Sequence, residues 1–336
     1  MVVYTGGSSS VAYGYETTFG TAVTPTDSFG LQQKVTGLSL NTSQIVLNKL
    51  GQVEPTKFAF GQQQGSVSMG FILDSAQSYK IFDSFYGTPS GTTTKVYPAL
   101  ASIYTGTSGV NVSPAAPKSL TTRIQVNGSS VFTRTLKGCV VNSLGISTSI
   151  GETVNGTIDM AFAEESTADI TGSTFVQQDD TAISQPATPY TFAHGSLKIS
   201  NQGNPTATMT EIAEIQDVDV TFTSNAELLY SLGSHYAQSV FRKVFDIGGR
   251  FRTSFKDKAL LQYVIDQSIL TKETETVGEV SNVGLSLTFT NGSKNMTLEF
   301  GGVSLADHSL TGIEPVEPIF EELNWKAKYS KISVTP

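Results

Sequence analysis

Apolar and polar residues alternate singly along much of this chain. Val218, Val220 and Phe222 alternate with Asp219, Thr221 and Thr223, which predicts a strand buried on one face. Val67, Met69 and Phe71 alternate with Ser66, Ser68 and Gly70, and Phe251, Thr253 and Phe255 echo them. Late in the chain Val283, Leu285, Leu287 and Phe289 lead into Asn291-Gly292, and Met296, Leu298 and Phe300 follow. Asn-Gly tolerates the positive φ angles of a tight turn, so this stretch predicts a hairpin. A second candidate turn, Asn127-Gly128, follows Ile124 and Val126. Two stretches switch to helical spacing. Ile72, Ala76, Tyr79, Phe82 and Tyr86 share one face, with Asp74 as the N-cap and Gln77 as its partner. Leu260, Leu261, Val264, Ile265 and Ile269 form a second stripe. Both stripes read as packing against a sheet.

The pattern also repeats at long range. Leu38, Leu40, Val46, Leu47, Leu50 and Gly51 match Val220, Phe222, Leu228, Leu229, Leu232 and Gly233 at a constant shift (232 − 50 = 182). Gly65, Val67, Phe71 and Tyr79 meet Gly249, Phe251, Phe255 and Tyr263 at a shift of 263 − 79 = 184. The two candidate turns are 291 − 127 = 164 apart, so the first half carries an insertion, placed at 87–118. Ile158, Met160 and Phe162 match Leu323, Trp325 and Ala327 as closing strands (323 − 158 = 165). The expected organisation is a Gly/Ser/Thr-rich N-terminal arm (1–30), a first β domain (31–165), a linker (166–189) and a second β domain (190–336). Phe71 and Phe255 are expected in the core, and the arm is expected to order against something else.

A chain of 336 residues suffices for two domains that each bury a core. Charged residues make up only 15% of it, which favours strands and turns and implies that partners cover part of the surface. The net charge of −8 argues against a protein that grips nucleic acid, though not against an acidic wall past which DNA slides. One cysteine, Cys139, excludes an internal disulfide framework and sits in an apolar strand entry, where burial is the default. Neither a signal peptide nor an apolar membrane span is visible, so the chain reads as soluble and made in a cytoplasm.

Candidate chemistry is sparse. His194, His235 and His308 are far apart, and only His308 has an acidic neighbour, Asp307, which a strand would turn to the opposite face. Nothing places a nucleophile beside a base, so neither catalysis nor a cofactor is expected. Glu314, Glu317, Glu321 and Glu322, interleaved with Pro315 and Pro318, read as lumen-facing or loop acids. Arg242, Lys243, Arg250, Arg252, Lys256 and Lys258 form the one basic cluster. It suits phosphate or, preferentially, acidic patches of a neighbouring subunit.

Three stretches carry a family resemblance. They are Tyr13-Gly14-Tyr15-Glu16-Thr17-Thr18-Phe19-Gly20-Thr21, the run from Val220 to Ser234, and Gly138 to Ile146 followed by Gly151-Glu152-Thr153-Val154. Each resembles tail tube (major tail) proteins of tailed phages and archaeal viruses. The resemblance implies a mainly β fold, here two tandem β-sandwich or barrel domains, each with one flanking helix. It implies rings that stack into a hollow tube through which viral DNA passes without specific binding. Two domains per chain would let three chains build a pseudo-sixfold ring where six single-domain chains otherwise would. Implied partners are further copies of the chain, tail terminator and baseplate or hub proteins, with sheath and tape measure proteins as further candidates. The implied location is the virion tail. Two other readings stand beside this one: a hub or baseplate ring protein with doubled tube domains, and a carbohydrate-binding β-sandwich adhesin. The adhesin would want exposed aromatic clusters, yet the single tryptophan, Trp325, lies in a strand-like setting.

Overall fold

The structure, a computed structural model, describes residues 9–47, 50, 54, 57–97, 118–126, 132–167, 188–200, 209–212, 214–256, 259–264, 283–312 and 318–336. The fold is mainly β. The first half holds β1 (Ser9–Tyr15), β2 (Leu31–Leu47), β3 (Lys57–Ile72), β4 (Lys95–Tyr97), β5 (Leu120–Val126), β6 (Phe132–Ser149), β7 (Asn155–Phe162) and β8 (Glu164–Ser166). The second half holds β9 (Gly195–Ser200), β10 (Thr210–Ile212), β11 (Ile215–Thr223), β12 (Ala226–Tyr230), β13 (Ala237–Arg242) and β14 (Asp246–Ser254). It closes with β15 (Val283–Asn291), β16 (Lys294–Thr311), β17 (Phe320–Ala327) and β18 (Tyr329–Thr335).

One antiparallel wall runs in the order β2-β3-β7-β6-β11-β14-β17-β16. Smaller sheets pack behind it: β1-β5-β6-β8 in the first half, and β10-β9-β15-β16-β18-β4 in the second. Strands β6 and β16, each of 18 residues, belong to both layers. Each crosses from the small sheet to the wall at a glycine of left-handed backbone, Gly138 at φ 60° and Gly302 at φ 61°. A side chain at Gly138 would also collide, 2.9 Å from the Ala163 Cβ, and one at Gly302 would lie tight against the Lys328 side chain at 3.0 Å. Just beyond, each strand carries a bulge against its neighbour, between Val141 and Ser143 and between Ala306 and His308.

The pairing corrects one alignment. Leu38 faces Val67, and Val220 faces Gly249, so β3 and β14 correspond at 249 − 67 = 182, the same shift as β2 and β11. The shift of 184 read from Gly65 and Gly249 is a two-residue slip. Strand side chains repeat every two residues, so such a slip keeps each apolar residue on its face and leaves the alternation unchanged. Phe255 accordingly falls beyond β14 and is only half-buried, whereas Phe71 is buried.

The core lies between wall and small sheets and runs through both halves of the chain. The Phe222 ring meets Phe82 at 5.7 Å and Phe300 at 6.1 Å, and Phe300 meets Trp325 at 4.7 Å. The two candidate hairpins form. The late one turns on Gly292-Ser293, since Asn291 already pairs with Lys294. The early one pairs Val126 with Phe132, with its turn, Asn127-Gly128, outside the described residues. The first helical stripe is shorter than its spacing predicts. Ile72 ends β3, and a 3-10 turn (Ser78–Phe82) runs into the single turn α1 (Asp83–Tyr86). Asp74 Oδ1 accepts from the Ala76 and Gln77 amides at 2.7 and 2.6 Å, while its reciprocal partner is Ser78, whose Oγ accepts from the Asp74 amide. The second stripe is helical over 259–264, where its described part ends.

The N-terminal segment orders against its own chain. β1 pairs β5 along its whole length, and Tyr13 and Phe29 are fully buried. Behind β1 the buried Glu16 carboxylate accepts from the Gly20 and Gly138 amides and from the Ser119 and Thr121 hydroxyls, all at 2.7–2.9 Å. It ties the segment to the crossing point of β6.

Candidate assembly surface

The wall's two ends and the join at its middle define the site. At the middle, β6 pairs β11 in antiparallel register, setting Ile146 opposite Val220, Gly145 opposite Thr221 and Leu144 opposite Phe222. These apolar residues are buried: Ile146 is 2% exposed and Phe222 0%. The wall ends at β2 on one side and at the 304–311 part of β16 on the other. Both ends carry exposed apolar side chains, Leu40 at 43% and Leu310 at 38%. Open strand edges present unpaired backbone groups and are templates for association.

Beyond the wall, β2 and β3 continue as a long hairpin arm, exposed from Leu40 to Leu47. Its second-half counterpart does not continue. Ser224 and Asn225 interrupt β11, Asn225 with φ 47°, and β12–β13 form a separate ribbon folded onto the first half. Leu228 and Ala237 of that ribbon bury against Val140, Ala161 and Ala163. The Ser224 amide donates to the Asn142 carbonyl at 2.8 Å, the Gln63 amide to the His235 carbonyl at 2.9 Å, and Tyr230 OH to the Gln63 carbonyl at 2.9 Å.

The wall face opposite the core is polar. Asp159 stands between Ile158 and Met160, and Asp217 and Asp219 flank Val218, so all three point away from the core. Ser68 and Ser143 hydroxyls donate to Asp159 at 2.5 and 2.8 Å from the strands on either side. Glu322, Asn324 and Lys326 share this face, as do Arg250 and Arg252. These three aspartates were not among the sequence candidates. Their signal was the alternation itself, which sets Asp217 and Asp219 on either side of the core residue Val218 in β11.

Of the candidate acids, Glu322 lies on this polar face, 3.3 Å from Arg250. Glu321 points the other way, buried, with its Oε2 3.0 Å from His308 Nε2. Glu314 and Glu317 fall outside the described residues. The candidate bases are dispersed rather than gathered. Arg242 donates to the Phe85 and Ser84 carbonyls at 2.7 and 2.9 Å, and burial lowers its pKa. Lys243 pairs with Glu227 across the ribbon at 2.6 Å, and Lys256 pairs with Glu214 at 2.9 Å. Arg250 reaches Asp217 at 3.9 Å, and the Arg252 guanidinium sits 4.3 Å from the Phe320 ring centre. Lys258 is outside the described residues. The histidines remain apart: His194 Nδ1 caps at Thr191, His235 Nδ1 lies 3.0 Å from the Gly61 carbonyl, and His308 meets Glu321.

Among the described residues, the mainly β chain thus presents an extended wall whose two end strands each pair on one side only and whose outer face is polar. Residues 6–327 match the phage tail tube protein family, and the chain belongs to that family. It is a structural, virion-tail class of protein, which separates it from the adhesin reading. No curated protein matches the chain.

Proposed function

We propose that the chain is a duplicated tube unit that assembles head-to-tail into closed, stacked rings, with the polar face of the wall lining a lumen for viral DNA. The observation that carries this is the β6–β11 join beside two open ends. By the shifts of 182 and 164, β2 is the counterpart of β11 and β16 that of β6. Repeating the join between chains sets Leu310 of one copy opposite Leu38 of the next, Ser309 opposite Ser39, and His308 opposite Leu40. Leu310 and Leu40 then take the buried places of Ile146 and Phe222. Full burial of such a side chain stabilises by about 1.5–3 kcal/mol. A head-to-tail contact of this kind closes into a ring when its rotation divides the circle. Two seats per chain give three chains per pseudo-sixfold ring.

The duplication also gives each chain one join already made, which halves the number of edges to be matched in assembly. The lumen wall would carry Asp159, Asp217, Asp219 and Glu322, with Arg250 held between two of these acids. Among the described residues of this face the cations Arg250, Arg252 and Lys326 are interspersed with acids rather than gathered as phosphate binding needs, so DNA would pass without sticking. The role is architectural, without catalysis. Tail terminator and hub or baseplate proteins would cap the same open face of the stack, with sheath and tape measure proteins outside and inside it. Mass measurement of a single purified ring tests the reading: three chains are expected, and six would overturn the pseudo-sixfold arrangement. Electron micrographs showing only dispersed monomers would overturn assembly itself.

A further inference from the structure

The exposed arm has a buried twin. At the shift of 182 the arm and the ribbon share one register: Gln44–Phe60 and Ala226–Arg242, Ile45–Ala59 and Glu227–Phe241, Val46–Phe58 and Leu228–Val240, Leu47–Lys57 and Leu229–Ser239. The interruption falls at the same place as well. Ser224-Asn225 correspond to Thr42-Ser43, where β2 bulges against β3 between Thr42 and Gln44. Yet Leu228 is 9% exposed on the first half of its own chain, while Val46 is 49% and Phe58 57% exposed.

From this pairing of a seated ribbon and an unseated arm, we infer that the arm strands at 44–47 and 57–60 dock on the second half of a neighbouring copy within the same ring. The inference rests on the head-to-tail reading above. The seat follows from the ribbon's own. Val140, Ala161 and Ala163 correspond, at shifts of 164 and 165, to Ser304, Lys326 and Lys328. The last correspondence is also seen in the backbone, where the Ala163 amide donates to the Lys137 carbonyl at 3.0 Å and the Lys328 amide to the Gly301 carbonyl at 3.2 Å. The two contacts differ in a matched way. Where the seat has alanines, the ribbon brings aliphatic Leu228 and Val240. Where the seat has lysines, the arm brings aromatic Phe58 and Phe60. Lysine stems lie along apolar surface, and their ammonium groups are attracted to ring faces. Occupation of this seat covers the largest run of exposed apolar side chains on the wall's strands with another copy of the chain.

The test uses two cysteine pairs in the full-length protein, assembled into single rings and then oxidised. Val46→Cys with Lys326→Cys is expected to join chains within unstacked rings. A link that forms only after rings stack would place the arm between rings and overturn the inference, as would no link in either state. Ser39→Cys with Ser309→Cys reports the strand join separately. If that pair links and the arm pair does not, the arm inference fails while the ring reading stands. Val46→Asp with Phe58→Asp supplies a second readout: an unchanged unfolding midpoint with loss of ring assembly is expected. Rings forming at the unmodified yield would overturn the inference.

Discussion

Gly138 and Gly302 hold the same left-handed backbone, φ 60° and 61°, at the points where the two longest strands pass from small sheet to wall. Neither residue is part of a tight turn. Each lets one strand serve two layers, and so sets the angle at which the wall meets its backing. A non-glycine residue in this region costs about 1–2 kcal/mol. Gly302→Ala is expected to lose about that much in denaturant unfolding. Gly138→Ala is expected to lose more, because its new methyl would lie 2.9 Å from Ala163 and 3.0 Å from the Phe19 ring. Equal or negligible losses at both sites would contradict this account of the crossing.

Glu16 anchors the N-terminal segment through four accepted hydrogen bonds in a buried setting. Glu16→Ala leaves the buried Gly138 amide, the partly buried Gly20 amide and two buried hydroxyls without their acceptor. The expected loss is at least about 2 kcal/mol of unfolding free energy. Deletion of residues 1–20 should abolish soluble folded protein, since it removes β1 with the buried Val11 and Tyr13. A truncated protein with a native circular dichroism spectrum would contradict this.

Phe71 and Phe255 separate once the register is known. Phe71→Ala removes a buried ring and is expected to cost about 3–5 kcal/mol. Phe255 sits beyond β14 and half-exposed, so its replacement by Ala should cost clearly less. The comparison of the two unfolding curves checks the shift of 182 directly, because a shift of 184 makes the two positions equivalent.

Cys139 is fully buried, and burial pushes its thiol up to about 12. The reactive thiolate is therefore scarce at neutral pH in the folded chain. Thiol reagents are expected to leave native protein unlabelled and to modify one site per chain after unfolding. Rapid labelling of the native protein would show that the small sheet over β6 opens readily.

Much of this architecture was legible in the residue pattern. The alternation around Val67, Val220, Leu285 and Leu298 located strands. Three things were hidden for physical reasons. The two-residue slip at Gly249 leaves every face unchanged, so only backbone pairing shows it. The helix stripe through Ile72 and Tyr86 mixes a strand end with a 3-10 turn, and apolar spacing does not mark where one becomes the other. The polar face was missed because Asp217, Asp219 and Asp159 are single acids between core residues, whereas attention falls on runs such as Glu314 to Glu322. The basic cluster was a cluster only in sequence: the fold sends Arg242, Arg250 and Lys256 to three different partners.

Neutralising Asp159, Asp217 and Asp219 to Asn is expected to leave unfolding free energy within about 1 kcal/mol, since each carboxylate is replaced by a group that still accepts hydrogen bonds on a solvated face. Tubes should still form, and electron microscopy of the triple variant checks this. Loss of rings would move these residues from the lumen into a contact between chains.

The most direct test of the central claim is oxidation of assembled Ser39→Cys/Ser309→Cys protein, read on a non-reducing gel. These positions are the interchain counterparts of Thr221 and Gly145, which face one another across β11 and β6. The head-to-tail account predicts covalent species ending at three linked chains. Assembled rings that remain unlinked, or links that close within single chains, would contradict it.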